Sequence, residues 1–396
     1  MMRAMTDEAT PEQTPYRLGE GSGPLRGVRV VEIAGIGPGP HACTLLADLG
    51  ADVVRVERPG GGTFGSLPDL LTRGRPSVAL DLKHPDAVAT VLDLVEGADV
   101  LVEGMRPGAA ERLGLGPEDC WERNPALVYG RMTGWGQDGP WSQAAGHDMN
   151  YIGITGALHA CGQDPDRPHF PVNLLGDFGG GSTYLVIGVL SALLEARVGG
   201  RGQVVDAAIV DGTAHLNAMG ASMAALGLAP ERRGTGLLDG GVPWYDLYET
   251  ADGRHMSVGA LEPQFWATLL ELLGLTDVVP DRDDRSTHDD LRRLLTDAFR
   301  SRTQAEWCEV FDGTDACVGP VLPLSEAAHH PHLVARGTLV ERDGVLQPAP
   351  APRFSRTPAE LGDGPSLPGR DTRRALEAWG VAGVDALLAS GAAVQA

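Results

Sequence analysis

Cysteine is scarce in this 396-residue chain: Cys43, Cys120, Cys161, Cys308 and Cys317 are odd in number, far apart and form no C-x-x-C pair. That spacing argues against a disulfide framework or a structural zinc and fits a reducing cytosol. Long apolar runs are missing too. The longest, 184–194, is interrupted by Gly188 and Ser191 and stops at Glu195, well short of the ~20 residues that cross a bilayer. It reads as a buried helix, and no membrane partner is expected. Basic residues are outnumbered, and a formal net charge of −21 repels phosphate backbones over the surface at large, which argues against nucleic acid. A local basic site for one phosphorylated ligand stays open. Residues 1–23 lack an apolar stretch and mix Asp, Glu, Gln, Pro and Gly; they read as a flexible arm, not as a signal or transit peptide. His329, His330 and His332 straddle Pro331 in what reads as a solvated turn, so no metal is expected.

What is present points to an α/β protein of two or three domains, at ~150 residues per domain. A β-rich run at 28–33 ends in the glycine turn Gly35–Gly39, followed by a helix pattern at 42–49 and a second strand at 51–57. Strand candidates at 77–82, 98–103 and 127–132 alternate with helix patterns at 86–96 and 107–112, which implies a mostly parallel sheet. A long helix is expected over 178–198, a strand over 203–209 and a further helix over 213–228. Composition then shifts through the glycine-rich stretch 232–241 into a smaller α+β domain over 238–320. A Pro-rich segment at 347–358 and closing helices within 372–388 complete the chain.

Several motifs could carry chemistry. The glycine turn at 35–39, with Glu57 about twenty residues on, imitates a dinucleotide fingerprint. Its third glycine follows Pro38 directly and Arg58-Pro59 follows the acid, so a tight turn in a domain that binds no NAD fits better. Gly146-His147-Asp148-Met149-Asn150-Tyr151 places an imidazole and a carboxylate side by side where a helix could begin. Neighbouring side chains on a helix diverge, so His147 is either a catalytic base or a polar helix-start residue. Asp177, in Leu175-Gly176-Asp177-Phe178-Gly179-Gly180-Gly181-Ser182, suits an N-cap of the long helix, while the glycines around it suggest close backbone approach. Arg55, Arg58, Arg73, Arg75, Lys83, Arg106 and Arg112 gather in the first third, several just after strand ends, where a phosphorylated ligand could use some of them. Met219 and Met223 are either helix core or an adaptable wall for an acyl chain.

Taken together, Pro24–Glu32, Leu46–Val54 and Val56-Glu57-Arg58-Pro59 resemble the opening of family III CoA-transferases (the CaiB/BaiF type). The likeness continues through Arg106-Pro107-Gly108, Glu111–Gly114, Gly202–Asp206 and Ala260–Phe265, and covers residues 24–356. Within that family, 131–137, the run 146–151 and 176–182 look like the bacterial α-methylacyl-CoA racemase branch. The resemblance implies an interlocked homodimer, a large Rossmann-like CoA-binding domain over 24–230, and a return of 321–396 to that domain. It implies that Arg58, Lys83, Arg106 and Arg112 hold the nucleotide of an acyl-CoA, with Leu80, Asp81, Leu82, Gly104, Met105, Gly146 and Tyr151 lining it. His147 and Asp177 would be the two acid–base groups, Asp148 would join them in the catalytic set, and Glu262 of the partner subunit would orient His147.

That chemistry suits the residues. Inverting the carbon beside a thioester carbonyl means removing a proton on one face and returning one on the other, so two acid–base groups suffice, and CoA enters only as part of the substrate. Neutral His147 with protonated Asp177 is one starting state and the reverse serves the other epimer. Amides near Asp148 could donate to the enolate oxygen. An N-cap position would favour the ionised form of Asp177, so burial would have to oppose it. The alternative is CoA transfer between carboxylic acids with Asp177 as nucleophile, whose family members carry a glycine-rich loop that 238–243 copies poorly.

Overall fold

The structure, a computed structural model, describes residues 16–61, 69–230 and 232–396. The chain divides into two compact units, one built from the described residues up to Tyr151 with 174–212 and 349–396, the other from 152–173 and 213–348. The expected boundaries therefore move. The return to the first unit starts at 349 instead of 321, and 152–173 and 213–230 belong to the second unit. Of the expected arm over 1–23, residues 1–15 lie outside the described residues, while 16–23 are held against the first unit, where Gly19 N donates to Asp52 Oδ2 at 2.8 Å.

In the first unit, β1 (Arg29–Ile33), α1 (Pro38–Asp48), β2 (Asp52–Glu57), β3 (Ser77–Leu80), α2 (Pro85–Glu96), β4 (Val100–Glu103), α3 (Ala109–Arg112), α4 (Pro117–Arg123) and β5 (Val128–Thr133) follow one another. Next comes α5 (Asp148–Ile154), whose end passes into the second unit together with α6 (Ala157–Ala160); the first unit resumes with a π-type helix over Leu174–Ser182, α7 (Thr183–Gly199) and β6 (Val204–Ala208). Apolar runs such as Val30-Val31, Val53-Val54 and Val100-Leu101-Val102 fit a sheet covered on both faces, and β1 to β5 are buried along almost their whole length. Proline opens α1 and α2, where its missing N–H is no loss.

The second unit pairs β7 (Tyr245–Glu249), β8 (His255–Gly259) and β9 (Val318–Pro320) in an antiparallel sheet, and β10 (Leu339–Arg342) with β11 (Val345–Pro348) in a hairpin. Its core is aromatic, with Trp244, Trp266, Trp307, Phe299 and Phe311 buried together. The chain closes with β12 (Ala393–Val394), antiparallel to β3.

The large sheet has the order β12-β3-β2-β1-β4-β5-β6, parallel except for β12. The chain builds outward from β1 through β2 to β3, then crosses back to β4 and builds the other way. One apolar layer covers the face of α2 and the closing helices, with Val91, Leu94, Leu101, Leu115 and Leu376. The other covers the face of α1 and α7, with Cys43, Leu46, Leu185 and Val189. The continuous helix Leu174–Gly199 is long and apolar enough by length and composition to cross a membrane, but Leu185, Val189, Ala192 and Leu193 are buried in the second layer. It is a core helix of this fold.

Candidate active site

Because β1 to β5 are parallel, the segments after them leave the sheet at one edge. Gly35–Gly39 follows β1, Arg58 follows β2, Asp81–Lys83 follow β3, Gly104–Arg106 follow β4, and the loop to His147 follows β5. β1 lies beside β4 at the point where the strand order reverses, the crevice at which open α/β sheets take ligands.

His147 sits on the turn that opens α5. Its carbonyl accepts from Asn150 N at 2.8 Å and Tyr151 N at 3.2 Å, and its own N–H donates to Asn150 Oδ1 at 3.1 Å. The residue itself is exposed. Gly146 must be glycine here, since a Cβ would stand 2.6 Å from Tyr151 Cε1 and 3.0 Å from Trp135. The Tyr151 hydroxyl donates to the Gly146 carbonyl, and the Tyr151 ring packs edge-on against Trp135 at 4.7 Å. Both residues, expected to line the nucleotide, shape the turn that presents His147.

Asp148 turns inward, 6% exposed. Its Oδ1 accepts the backbone N–H of Asp177 at 2.7 Å, which ties the His147 stretch to the Asp177 stretch across 29 residues of chain. Its Oδ2 is buried without a hydrogen-bond partner among the described residues.

Asp177 is not an N-cap. It lies inside the continuous helix, in the π-type segment Leu174–Ser182, and such widened turns recur at functional sites. The glycines serve packing: a Cβ on Gly181 would press on Ile209 at 3.1 Å and Pro38 at 3.2 Å, and one on Gly212 would stand 1.8 Å from the Gly180 carbonyl oxygen. Across from this segment, Gly37 at the start of α1 has φ 69°, and a Cβ there would lie 3.4 Å from Asp177 Oδ2. The turn that imitates a dinucleotide fingerprint thus leaves room for a carboxylate. Glu57, the acid of that imitation, is buried with Arg55 and accepts from the Ser77 hydroxyl.

The early arginines split into two sets. Arg58, Lys83, Arg106 and Arg112 are exposed, and Lys83 is the only lysine in the chain. Arg55, Arg73 and Arg75 are buried and cannot serve a phosphate there. Arg55 and Arg75 both bind Glu32, and Arg73 binds Asp48 at 2.5 Å. Leu80, expected to line the nucleotide, is 1% exposed and belongs to the core, whereas Asp81 and Leu82 are half-buried and Asp81 Oδ1 accepts from Lys83 N at 3.1 Å.

One group was missed. Glu103, the last residue of β4, is 4% exposed and its Oε2 accepts from Met105 N at 2.6 Å, which shapes the 104–106 loop. Burial pushes its carboxyl from the ordinary 4.5 up to about 7; Arg131, 3.6 Å away, opposes this only in part, and Glu111 and Asp206 add to it. An acid closing an otherwise apolar strand was the available signal.

In the second unit, Glu262 stands at the N-cap position of the helix Pro263–Leu273 without a side-chain capping bond, and is exposed. There too, Asp239 gathers the amides of Gly234, Gly236 and Gly241 at 2.9, 2.8 and 3.2 Å, so the 232–241 loop is closed on its own carboxylate. It borders a cavity of about 460 Å³ with Gln163, Tyr245 and Asp246.

Known proteins resemble the chain over most of its length. The chain is 46% identical to an α-methylacyl-CoA racemase of Mus musculus over 337 residues, 85% of this chain and 87% of the relative. It is 43% identical to the Homo sapiens α-methylacyl-CoA racemase over the same shares. Succinyl-CoA:glutarate CoA-transferase of Homo sapiens is 27% identical over 89% of this chain and 85% of its own. The crystal structure of a CAIB/BAIF family protein from Brucella suis superposes with a TM-score of 0.79 at 26% identity, over 90% of this chain and all of that one. Residues 25–372 match the CoA-transferase family III, and the chain belongs to that family.

Proposed function

We infer that this chain is an isomerase, an α-methylacyl-CoA racemase that inverts the 2-methyl stereocentre of an acyl-CoA thioester. The observation that carries this is the identity of 43–46% to two racemases over 85% of the chain. The tie from Asp148 to the Asp177 amide supports it, since it joins the two stretches that bear the proposed acid–base pair. In this reading neutral His147 takes the α-proton from one face and the electron pair of that C–H bond moves onto the thioester carbonyl as an enolate. Protonated Asp177 then returns a proton to the opposite face, and the two groups exchange roles for the other epimer. Protons balance and no electrons enter or leave.

Arg58, Lys83, Arg106 and Arg112 would hold the CoA phosphates at the sheet edge, with Asp81–Lys83 and Gly104–Arg106 beside them. The proposed working unit is a homodimer in which Glu262 of the partner subunit orients His147, and the proposed setting is the cytosol, in keeping with five free cysteines.

The test is one epimer of a 2-methylacyl-CoA in D2O without acceptor acid. Deuterium at the α-carbon with loss of chirality, and at least about a thousandfold less of both in His147→Ala and Asp177→Ala, is the expected result. CoA transfer to added carboxylate through an Asp177 adduct, without exchange, would make the chain a transferase.

A further inference from the structure

His41 plays no part in the proton transfers above, yet it touches the segment that carries Asp177 twice. It lies in the first turn of α1, four residues after Gly37, and its ring stacks on Phe178 with centroids 4.3 Å apart. Its Nδ1 is 2.6 Å from the hydroxyl of Ser182, a residue with no exposed surface.

The Ser182 hydroxyl also lies 2.9 Å from the Phe178 carbonyl, to which the Thr183 hydroxyl donates at 2.9 Å. With the Ser182 proton on that carbonyl, its oxygen faces His41 with lone pairs and His41 Nδ1 carries a proton. Burial lowers the His41 pKa, with Arg73 and Arg75 adding to that and Asp48 opposing it, which favours the neutral ring, and in this arrangement its proton is on Nδ1. The turn that carries His41 is itself braced from below: Arg75 donates to the Pro40 carbonyl at 3.1 Å and to the Thr44 hydroxyl at 2.9 Å while holding Glu32.

We propose that His41 is a positioning residue for the racemisation inferred above: its Nδ1–H, through Ser182, and its ring, against Phe178, fix the π-type turn that aims the Asp177 carboxylate. This rests on the racemase reading. Such widened turns are rare single-turn interruptions of α-helices, and here the Ser182 and Thr183 hydroxyls turn back onto the Phe178 carbonyl inside it. Small displacements of a proton carrier cost rate more than binding.

The test compares His41→Ala, His41→Asn and His41→Asp in the full-length enzyme, reading kcat and KM for α-deuterium exchange and the thermal unfolding midpoint. An asparagine amide N–H replaces the donor, whereas an aspartate of the same size offers only acceptors. Expected are a fall in kcat on the order of tenfold or more in the Ala and Asp variants with KM within about twofold, and recovery of most of the rate in the Asn variant. Ser182→Ala, which removes the middle of the relay and adds no bulk, should match His41→Ala and serves where the Ala variant does not fold. Equal rates in the Asn and Asp variants, or a Ser182→Ala enzyme as fast as the unaltered one, would overturn the proposal. If the unaltered enzyme exchanges no deuterium, the racemase reading itself has failed, and that outcome is distinct.

Discussion

Two sets of arginines from the same third of the chain have opposite fates. Arg55 and Arg75 lie under the sheet edge, with side chains 7% and 0% exposed, and share Glu32. Arg58 and Arg106 stand one and three residues past the ends of β2 and β4 and are exposed. Position along the strand decides between them. An arginine before the strand end meets the body of the fold and needs a carboxylate there, because a buried unpaired charge is not tolerated. One past the end meets solvent, or a ligand with phosphates. The two sets should therefore fail differently when altered, the first through stability and the second through substrate binding.

The largest effect should come from the buried set. Arg75→Met leaves Glu32 with one cation fewer and strips donors from Pro40 and Thr44, and breaking a buried pair from one side costs about 3–5 kcal/mol. Urea unfolding measures it. Adding Glu32→Gln to Arg75→Met should recover part of the loss, because the stranded charge is then gone. A double variant less stable than Arg75→Met would mean that the charge of Glu32 is held by Arg55 alone, and the buried set would not be a coupled network.

Glu103 stands between the two sets, buried like the first and attached through Met105 to the exposed loop of the second. Its carboxyl, raised from 4.5 to about 7, keeps its proton in the folded chain at pH values where the unfolded chain has lost it. The resulting stability is fully present below pH ~4.5 and is lost as pH rises through ~7. Glu103→Gln is neutral throughout. It should gain on the unaltered enzyme by about 2–3 kcal/mol between pH ~5 and ~8, because each tenfold difference in proton affinity between the folded and unfolded chains is worth about 1.36 kcal/mol. Urea midpoints at the two pH values read this. A constant difference between the two proteins would mean that Arg131 keeps the carboxylate ionised throughout.

Much of this arrangement was legible in the sequence. Alternating apolar strands and helices after a glycine turn pointed to the parallel sheet, because burial on both faces demands runs such as Val53-Val54 and Val100–Val102. Likeness to known motifs pointed to His147 and Asp177. The setting of Asp177 was not legible, since a glycine run ahead of a helix reads as a cap, and only packing against α1 and Gly212 shows that the helix continues through it. Nor was the split among the arginines, because pairing with Glu32 and Asp48 depends on which strands become neighbours. His41 and Glu103 were passed over for the same reason. Each is a single polar residue in an apolar stretch, and its partners lie 141 residues away in one case and across β4 and β5 in the other.

The smallest expected effect belongs to the exposed set and discriminates most sharply between the two. Arg106→Ala should raise KM for acyl-CoA on the order of tenfold and leave the urea midpoint within error, since the side chain is exposed and surface charges contribute little to folding. The increase should shrink as salt goes from about 0.1 M to about 1 M, where the screening length falls to about 3 Å. The loss in Arg75→Met should persist at about 1 M, because buried pairs are screened much less. If Arg106→Ala instead lowered stability and left KM alone, Arg106 would be a structural charge like Arg75, and the phosphates of CoA would have to rest on Arg58, Lys83 and Arg112.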